Sequence, residues 1–175
     1  MTPFESSGTA NQHKKAAAAR GPVRIAIITV SDSRTPETDT NATYLKAAIA
    51  DAGHVVADYR LIRDEPAEVE KVLEDLTSGD SQILFWNGGT GISRRDTTHD
   101  ALAAKLDKTL PGFGEIFRML SYQEIGSAAM LSRAIAGVYK GRVIISTPGS
   151  PNAVKLAWER LVLPEIAHLA WEVSR

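Results

Sequence analysis

Four short polar segments each follow an apolar run: Ser31-Asp32-Ser33, Arg63-Asp64-Glu65, Asn87-Gly88-Gly89-Thr90-Gly91 and Thr147-Pro148-Gly149-Ser150-Pro151. The glycine-rich segment has the clearest chemical use. Glycine lets backbone N–H groups turn toward an anion and admits a ligand where a Cβ would obstruct it. Such a loop leading into a helix is suited to hold phosphate. It is neither of two familiar nucleotide loops. A Walker A loop requires Lys followed by Ser or Thr, and the dinucleotide fingerprint requires a glycine where Arg94 stands. A tight turn that only reverses the chain would use the same residues.

Asp64 and Asp96 are the candidate ligands for Mg²⁺, because phosphoryl and nucleotidyl transfer gain from a cation held by one or two carboxylates. They lie far apart in sequence and can meet only through the fold. Their plainer roles are a turn residue before Pro66 and a helix N-cap. Arg94 and Arg95 could hold phosphate with their planar forks, or form a solvated pair. Ser31, Ser33 and Ser150 could donate to oxyanions, or act as caps and turns. The four histidines show no ligand spacing, and the chain has no cysteine, which excludes disulfides and thiolate metal sites.

These loops need a scaffold that gathers them. Arg24 to Val30, Ile83 to Trp86 and Val143 to Ile145 are nearly continuous apolar runs, as strands buried on both faces are. His54 to Ile62 alternates, which fits a half-exposed strand nearer an edge. Helical spacing fills the gaps. Leu45, Ala48, Ile49 and Ala52 form a stripe ended by Gly53, and Val69, Val72, Leu73 and Leu76 form another between Pro66 and Gly79. Thr97 or Thr98 could cap a helix running through Leu106. Residues 112–135 read as helical in two pieces broken near Gly126, and Pro164 kinks the last helix or begins a new one. Strands alternating with helices predict an α/β fold: three layers, a mostly parallel sheet and helices on both faces. Val138 to Val143 fits one tight hairpin, which would make the sheet mixed. In an open parallel sheet ligands bind beyond the carboxyl ends of the strands, so all four polar segments would share one edge.

The 175 residues suit a single domain over residues 23–175, preceded by a polar arm, residues 1–22, read as disordered. A net charge of −1 gives no global pull toward nucleic acid or acidic lipid, and no apolar run approaches the ~20 residues of a membrane span. The arm lacks the apolar core of a secretory signal, so the expectation is a soluble, cytoplasmic protein.

The order of several segments adds a resemblance. Ile27 to Asp32, Asn87 to Gly91 with Arg94-Arg95-Asp96, Pro111-Gly112-Phe113-Gly114-Glu115, Ser132-Arg133-Ala134 and Pro148 to Ala153 resemble the MoaB/MogA family of molybdenum-cofactor biosynthesis. Phe117 to Gly126 is similar to its MoaB branch. The likeness covers about residues 22–173. It implies a homo-oligomer, trimer or hexamer, and the molybdate-insertion enzyme as a further partner. It also implies an activity: adenylylation of molybdopterin by Mg²⁺ and ATP, releasing pyrophosphate. A non-catalytic molybdopterin carrier of the same branch is the alternative. By resemblance, Asp64 and Asp96 are the catalytic and metal-binding pair. Gly88, Gly89, Thr90 and Gly91 form the pterin- and phosphate-binding loop, and Ser31, Arg95, Ser121, Pro148, Gly149 and Ser150 line the pocket. Two positions depart from the family pattern: Asp39-Thr40-Asn41-Ala42 replaces a common Ser-Gly turn, and Asn87 stands where many relatives carry Thr or Ser.

Overall fold

The computed structural model describes residues 20–174. Of the expected arm, only residues 20–22 fall within that range. Six strands form one sheet in the order β2-β1-β3-β6-β5-β4. They are β1 (Arg24–Val30), β2 (Val55–Ile62), β3 (Ile83–Asn87), β4 (Lys108–Thr109), β5 (Ile135–Tyr139) and β6 (Arg142–Thr147). β2, β1, β3 and β6 run parallel, and β5 is antiparallel to both of its neighbours. The expected hairpin is the β5–β6 connection. Lys140 (φ 47°) and Gly141 (φ 70°) turn it, both in the left-handed region that a two-residue hairpin of matching twist requires. The alternating segment, β2, lies at the sheet edge.

The strands are apolar on both sides because both sides are covered. Ile25, Ile27, Phe85, Val143 and Ile145 pack into one core, with α1 (Thr40–Asp51), α4 (Pro111–Ile125) and α5 (Pro151–Ala157). Their neighbours in sequence, Ala26, Ile28, Leu84, Trp86 and Ile144, pack into the other, with α2 (Pro66–Thr77) and α3 (Thr98–Lys105). Each fully buried Ile, Leu or Phe contributes roughly 1.5–3 kcal/mol. Trp158 meets Phe85 edge-on at 6.4 Å, which ties the C-terminal helices to the sheet.

Three local features add to or alter the sequence reading. The second helical piece after Gly126 (φ 64°) is a 3₁₀ stretch, Gly126–Leu131, and Ile135 already begins β5. Pro164 acts earlier than a simple kink. It has no N–H to continue the helical ladder, and the chain widens to a π turn over Trp158–Val162, then a 3₁₀ turn, before α6 (Ile166–Glu172). β4 is a two-residue strand that the sequence pattern did not announce. Among the described residues no helix is long and apolar enough to cross a membrane.

His54 fixes the start of the sheet. Its Nδ1 accepts the Val23 N–H at 3.2 Å, which requires an unprotonated nitrogen, and partial burial holds its pKa below the ordinary value. The folded state therefore binds fewer protons than the unfolded one. His54's contribution is complete above the unfolded pKa of ~6.5 and is lost as pH falls toward the lower folded value. Denaturant unfolding from pH 7.5 to 5.5 should show a loss of stability that is smaller in His54→Asn. Equal losses in the two proteins would contradict this role.

Candidate functional site

The register brings three strand ends side by side: Thr29 pairs with Asn87, and Asn87 with Thr147. The segments that follow are therefore neighbours, and the glycine loop lies between the other two. Its backbone has little freedom. Gly88 has φ 104°, and a Cβ there would fall 2.1 Å from the Val30 carbonyl oxygen. Gly89 has φ 65°, and a Cβ there would fall 2.3 Å from Thr98 Oγ1 and 2.7 Å from Asp64 Oδ2. An L side chain at either position meets both backbone strain and a collision.

A cavity of about 530 Å³ opens at this edge. Ser31, Gly88, Gly89, Thr90, Gly91, Asp96, Ser121, Pro148, Gly149 and Ser150 all line it. Two expected residues, Asp64 and Arg95, are not in its wall. Arg95 instead joins two neighbouring loops. Its Nε donates to Asp32 Oδ2 at 3.0 Å and its NH1 to Glu65 Oε1 at 2.7 Å. The Arg95 hydrogen bond holds the Asp32 carboxyl below the usual carboxylate range. Arg94 is also absent from the wall.

Asp64 and Asp96 both lie against the glycine loop, at different ends. A Cβ on Gly91 would fall 2.5 Å from Asp96 Oδ2, as one on Gly89 would meet Asp64. Asp96 Oδ2 accepts from Ser93 N at 3.0 Å and Ser93 Oγ at 2.6 Å, which closes the Ser93–Asp96 turn. Asp64 is buried, and its Oδ1 is the acceptor for four donors: Thr97 N (3.1 Å), Thr97 Oγ1 (2.9 Å), Thr98 N (3.0 Å) and Thr98 Oγ1 (2.9 Å). Neither threonine caps α3 with its own side chain; the carboxylate after β2 caps it from across the sheet. Among the described residues no group of three His, Cys, Asp or Glu side chains is placed to hold a metal ion. The residues present fit Mg²⁺ in the way substrate-bound Mg²⁺ is commonly held, by one carboxylate together with ligand phosphates. Asp96 and Glu124 are the carboxylate residues in the cavity wall, and Asp96 is the one that lies against the glycine loop.

Several residues with no assigned role hold the site together. Arg133 gathers the carbonyls of the loop: its Nε donates to Thr90 O at 3.0 Å, and its NH2 to Gly91 O at 2.5 Å and Asp96 O at 3.2 Å. Its NH1 donates to both oxygens of Asp100 at 2.9 Å, which lowers the Asp100 pKa. With the carbonyls turned toward Arg133, the loop is held from behind. The two departures from the family pattern meet each other. Asn41 Nδ2 donates to Asn87 Oδ1 at 2.8 Å and to Gly149 O at 2.9 Å, while Asn87 Nδ2 donates to Ile28 O and Thr29 Oγ1. Nothing in their spacing marks them as a pair.

Known proteins resemble this chain in sequence and in fold. The family described as "Probable molybdopterin binding domain" matches residues 26–168. The chain belongs to this family. Within this molybdopterin-binding-domain family, it is 45% identical over 166 residues to molybdenum cofactor biosynthesis protein B of Bacillus cereus, covering 94% of this chain and 97% of that protein. A crystal structure of a molybdenum cofactor biosynthesis protein B superposes with a TM-score of 0.84 at 46% identity, over 88% of this chain and 97% of that one. The tungsten cofactor synthesizing protein MoaB of Pyrococcus furiosus superposes with a TM-score of 0.79 at 33% identity, over 88% and 98%.

Proposed function

We propose that this protein acts in molybdenum cofactor biosynthesis and adenylylates molybdopterin, using ATP and Mg²⁺ and releasing pyrophosphate. One observation carries the reading: the glycine loop and the Asp96 carboxylate face a single cavity of about 530 Å³, a volume suited to small-molecule ligands. The names of the relatives give the pathway.

The chemistry asks little of a general base. An anionic phosphate oxygen of molybdopterin attacks the α-phosphorus of ATP, a new P–O–P link forms, and the bond to the β-phosphate breaks as pyrophosphate leaves. No proton has to be removed from the nucleophile. Mg²⁺, when bound, supplies charge neutralisation at phosphate oxygens. Asp96 would hold it from the cavity wall. Gly88 N donates to Thr147 O at 3.0 Å, which leaves the backbone N–H groups of Gly89 to Gly91 to bind phosphate, and Arg133 keeps that segment in shape. Asp64 does its work by starting α3 beneath the loop. Phe117 and Leu156, both buried, belong to the apolar part of the cavity wall.

A carrier reading has one observation in its favour. Asp64, expected as the second metal ligand, spends one oxygen entirely on capping α3. The assay that separates the two combines the protein with molybdopterin and Mg-ATP and follows pyrophosphate and adenylylated pterin. The transferase yields both in equal amounts. Tight pterin binding with no product at any Mg²⁺ concentration would leave the carrier.

The active form is an oligomer, a trimer or hexamer, built on α4 and the 3₁₀ stretch after it. Ile116, Met119, Tyr122, Ile125, Met130 and Leu131 are exposed there, Met130 by 79%, an apolar surface that a second copy would cover. Light scattering should give a multiple of the 18.9 kDa chain mass, reduced in Met119→Glu/Tyr122→Glu. A monomeric native protein at micromolar concentration would contradict this. The adenylylated product would pass to the molybdate-insertion enzyme.

A further inference from the structure

Among the described residues, the cavity wall holds only one basic side chain, Arg34. The other charged residues in the wall are Asp96 and Glu124, so the cavity carries more negative than positive charge. A ligand rich in phosphate entering it meets two carboxylate residues and a single guanidinium. The glycine loop offers partial charges, and Arg34 offers the one full positive charge.

Arg34 is also held in place. Ser31 Oγ accepts the backbone N–H groups of Ser33 and Arg34 at 3.3 and 3.2 Å, which fixes the turn that carries it. Its NH2 donates to Gly149 O at 3.1 Å and its NH1 to Asp39 Oδ1 at 3.5 Å. Asp39 is fully buried and fixed in turn: its Oδ1 accepts from Ala42 N at 3.1 Å, and its Oδ2 accepts from the Tyr59 hydroxyl at 2.8 Å. Burial and this contact with Asp39 keep the Tyr59 hydroxyl protonated as the donor. The Arg34–Asp39 separation is longer than the ~2.7–2.9 Å usual for a charge-assisted bond, and the pair engages one N–H of the guanidinium. A guanidinium carries five N–H donors. Two are used, and the remaining three have no protein partner among the described residues.

We propose that Arg34 is the anion-recognition residue of the cavity, that its unused N–H edge takes a phosphate of the ligand, and that Asp39 is the positioning residue that aims it. The proposal rests on the reading of this cavity as a site for phosphorylated ligands. It deepens that reading by naming the side chain that chooses which end of the ligand lies beside the Pro148-Gly149 turn.

The test uses the full-length protein and isothermal titration with two probes, pyrophosphate and adenosine. Arg34→Gln should weaken pyrophosphate by about tenfold or more, the scale of one charged bidentate contact, and leave adenosine within about twofold. Arg34→Lys should recover only part of the loss, because a lysine cannot reproduce the planar fork. Asp39→Asn should give an intermediate loss for pyrophosphate, again without one for adenosine. Circular dichroism and melting temperature verify each fold, and Arg34→Lys serves if Arg34→Gln does not fold. Pyrophosphate binding equal to wild type in Arg34→Gln, an equal loss for adenosine, or no pyrophosphate binding by wild type at millimolar concentration would each overturn the proposal. The transferase reading fails separately: Arg34-dependent pyrophosphate binding in a protein that forms no adenylylated pterin would remove the reaction and leave the role of Arg34 standing.

Discussion

Asp64→Ala should lower unfolding free energy by about 3 kcal/mol or more, although Asp64 lies outside the cavity wall. The alanine leaves four donors without their acceptor, two of them backbone N–H groups at the first turn of α3. Loss of a helix cap alone costs about 1 kcal/mol, and each buried donor left unpaired adds roughly 1–3 kcal/mol before any relaxation. Gly89 sits directly against the same carboxylate, so the damage reaches the glycine loop. Asp64→Asn keeps an oxygen acceptor and should lose clearly less. Urea unfolding of the three proteins measures this. A change below about 0.5 kcal/mol in Asp64→Ala would show that the cap carries no weight.

Asp96→Asn should behave differently: near-native stability, with turnover reduced roughly a hundredfold or more. The asparagine oxygen can still accept from Ser93 N and Ser93 Oγ, so the turn survives. What disappears is the negative charge beside the glycine loop, and with it, on the proposed reaction, the carboxylate that would hold a cation against phosphate oxygens. An interaction made mainly in the transition state lowers kcat and kcat/KM together and leaves pterin affinity nearly unchanged. Steady-state pyrophosphate release, with pterin binding measured in parallel, gives the comparison. Equal turnover in wild type and Asp96→Asn would remove Asp96 from the chemistry.

The contrast between these aspartates marks what a sequence can disclose. Both were visible as acidic residues after a strand or a glycine loop, and both do lie against that loop. Their separate tasks were not visible. Asp64 is 33 residues from Thr97, and no local pattern signals that one will cap a helix begun by the other. Arg34 reaches Gly149 across 115 positions for the same reason, and Asn41 meets Asn87 across 46. By contrast, features governed by neighbours in the chain were legible. The alternation of β2 announced an edge, the uninterrupted apolar runs of β1 and β3 announced burial on both faces, and Lys140-Gly141 announced a hairpin. The stretch after Gly126 misled because its small and apolar residues suit a 3₁₀ turn as well as an α-helix, and tertiary packing decided between them.

A crystal of the protein grown with molybdopterin, Mg²⁺ and a non-reacting ATP analogue tests the central claim most directly. The account predicts phosphate groups against the backbone of Gly88 to Gly91, with the metal ion on Asp96 in the same cavity. Pterin and nucleotide phosphates bound at another surface, with this cavity filled only by solvent, would contradict it.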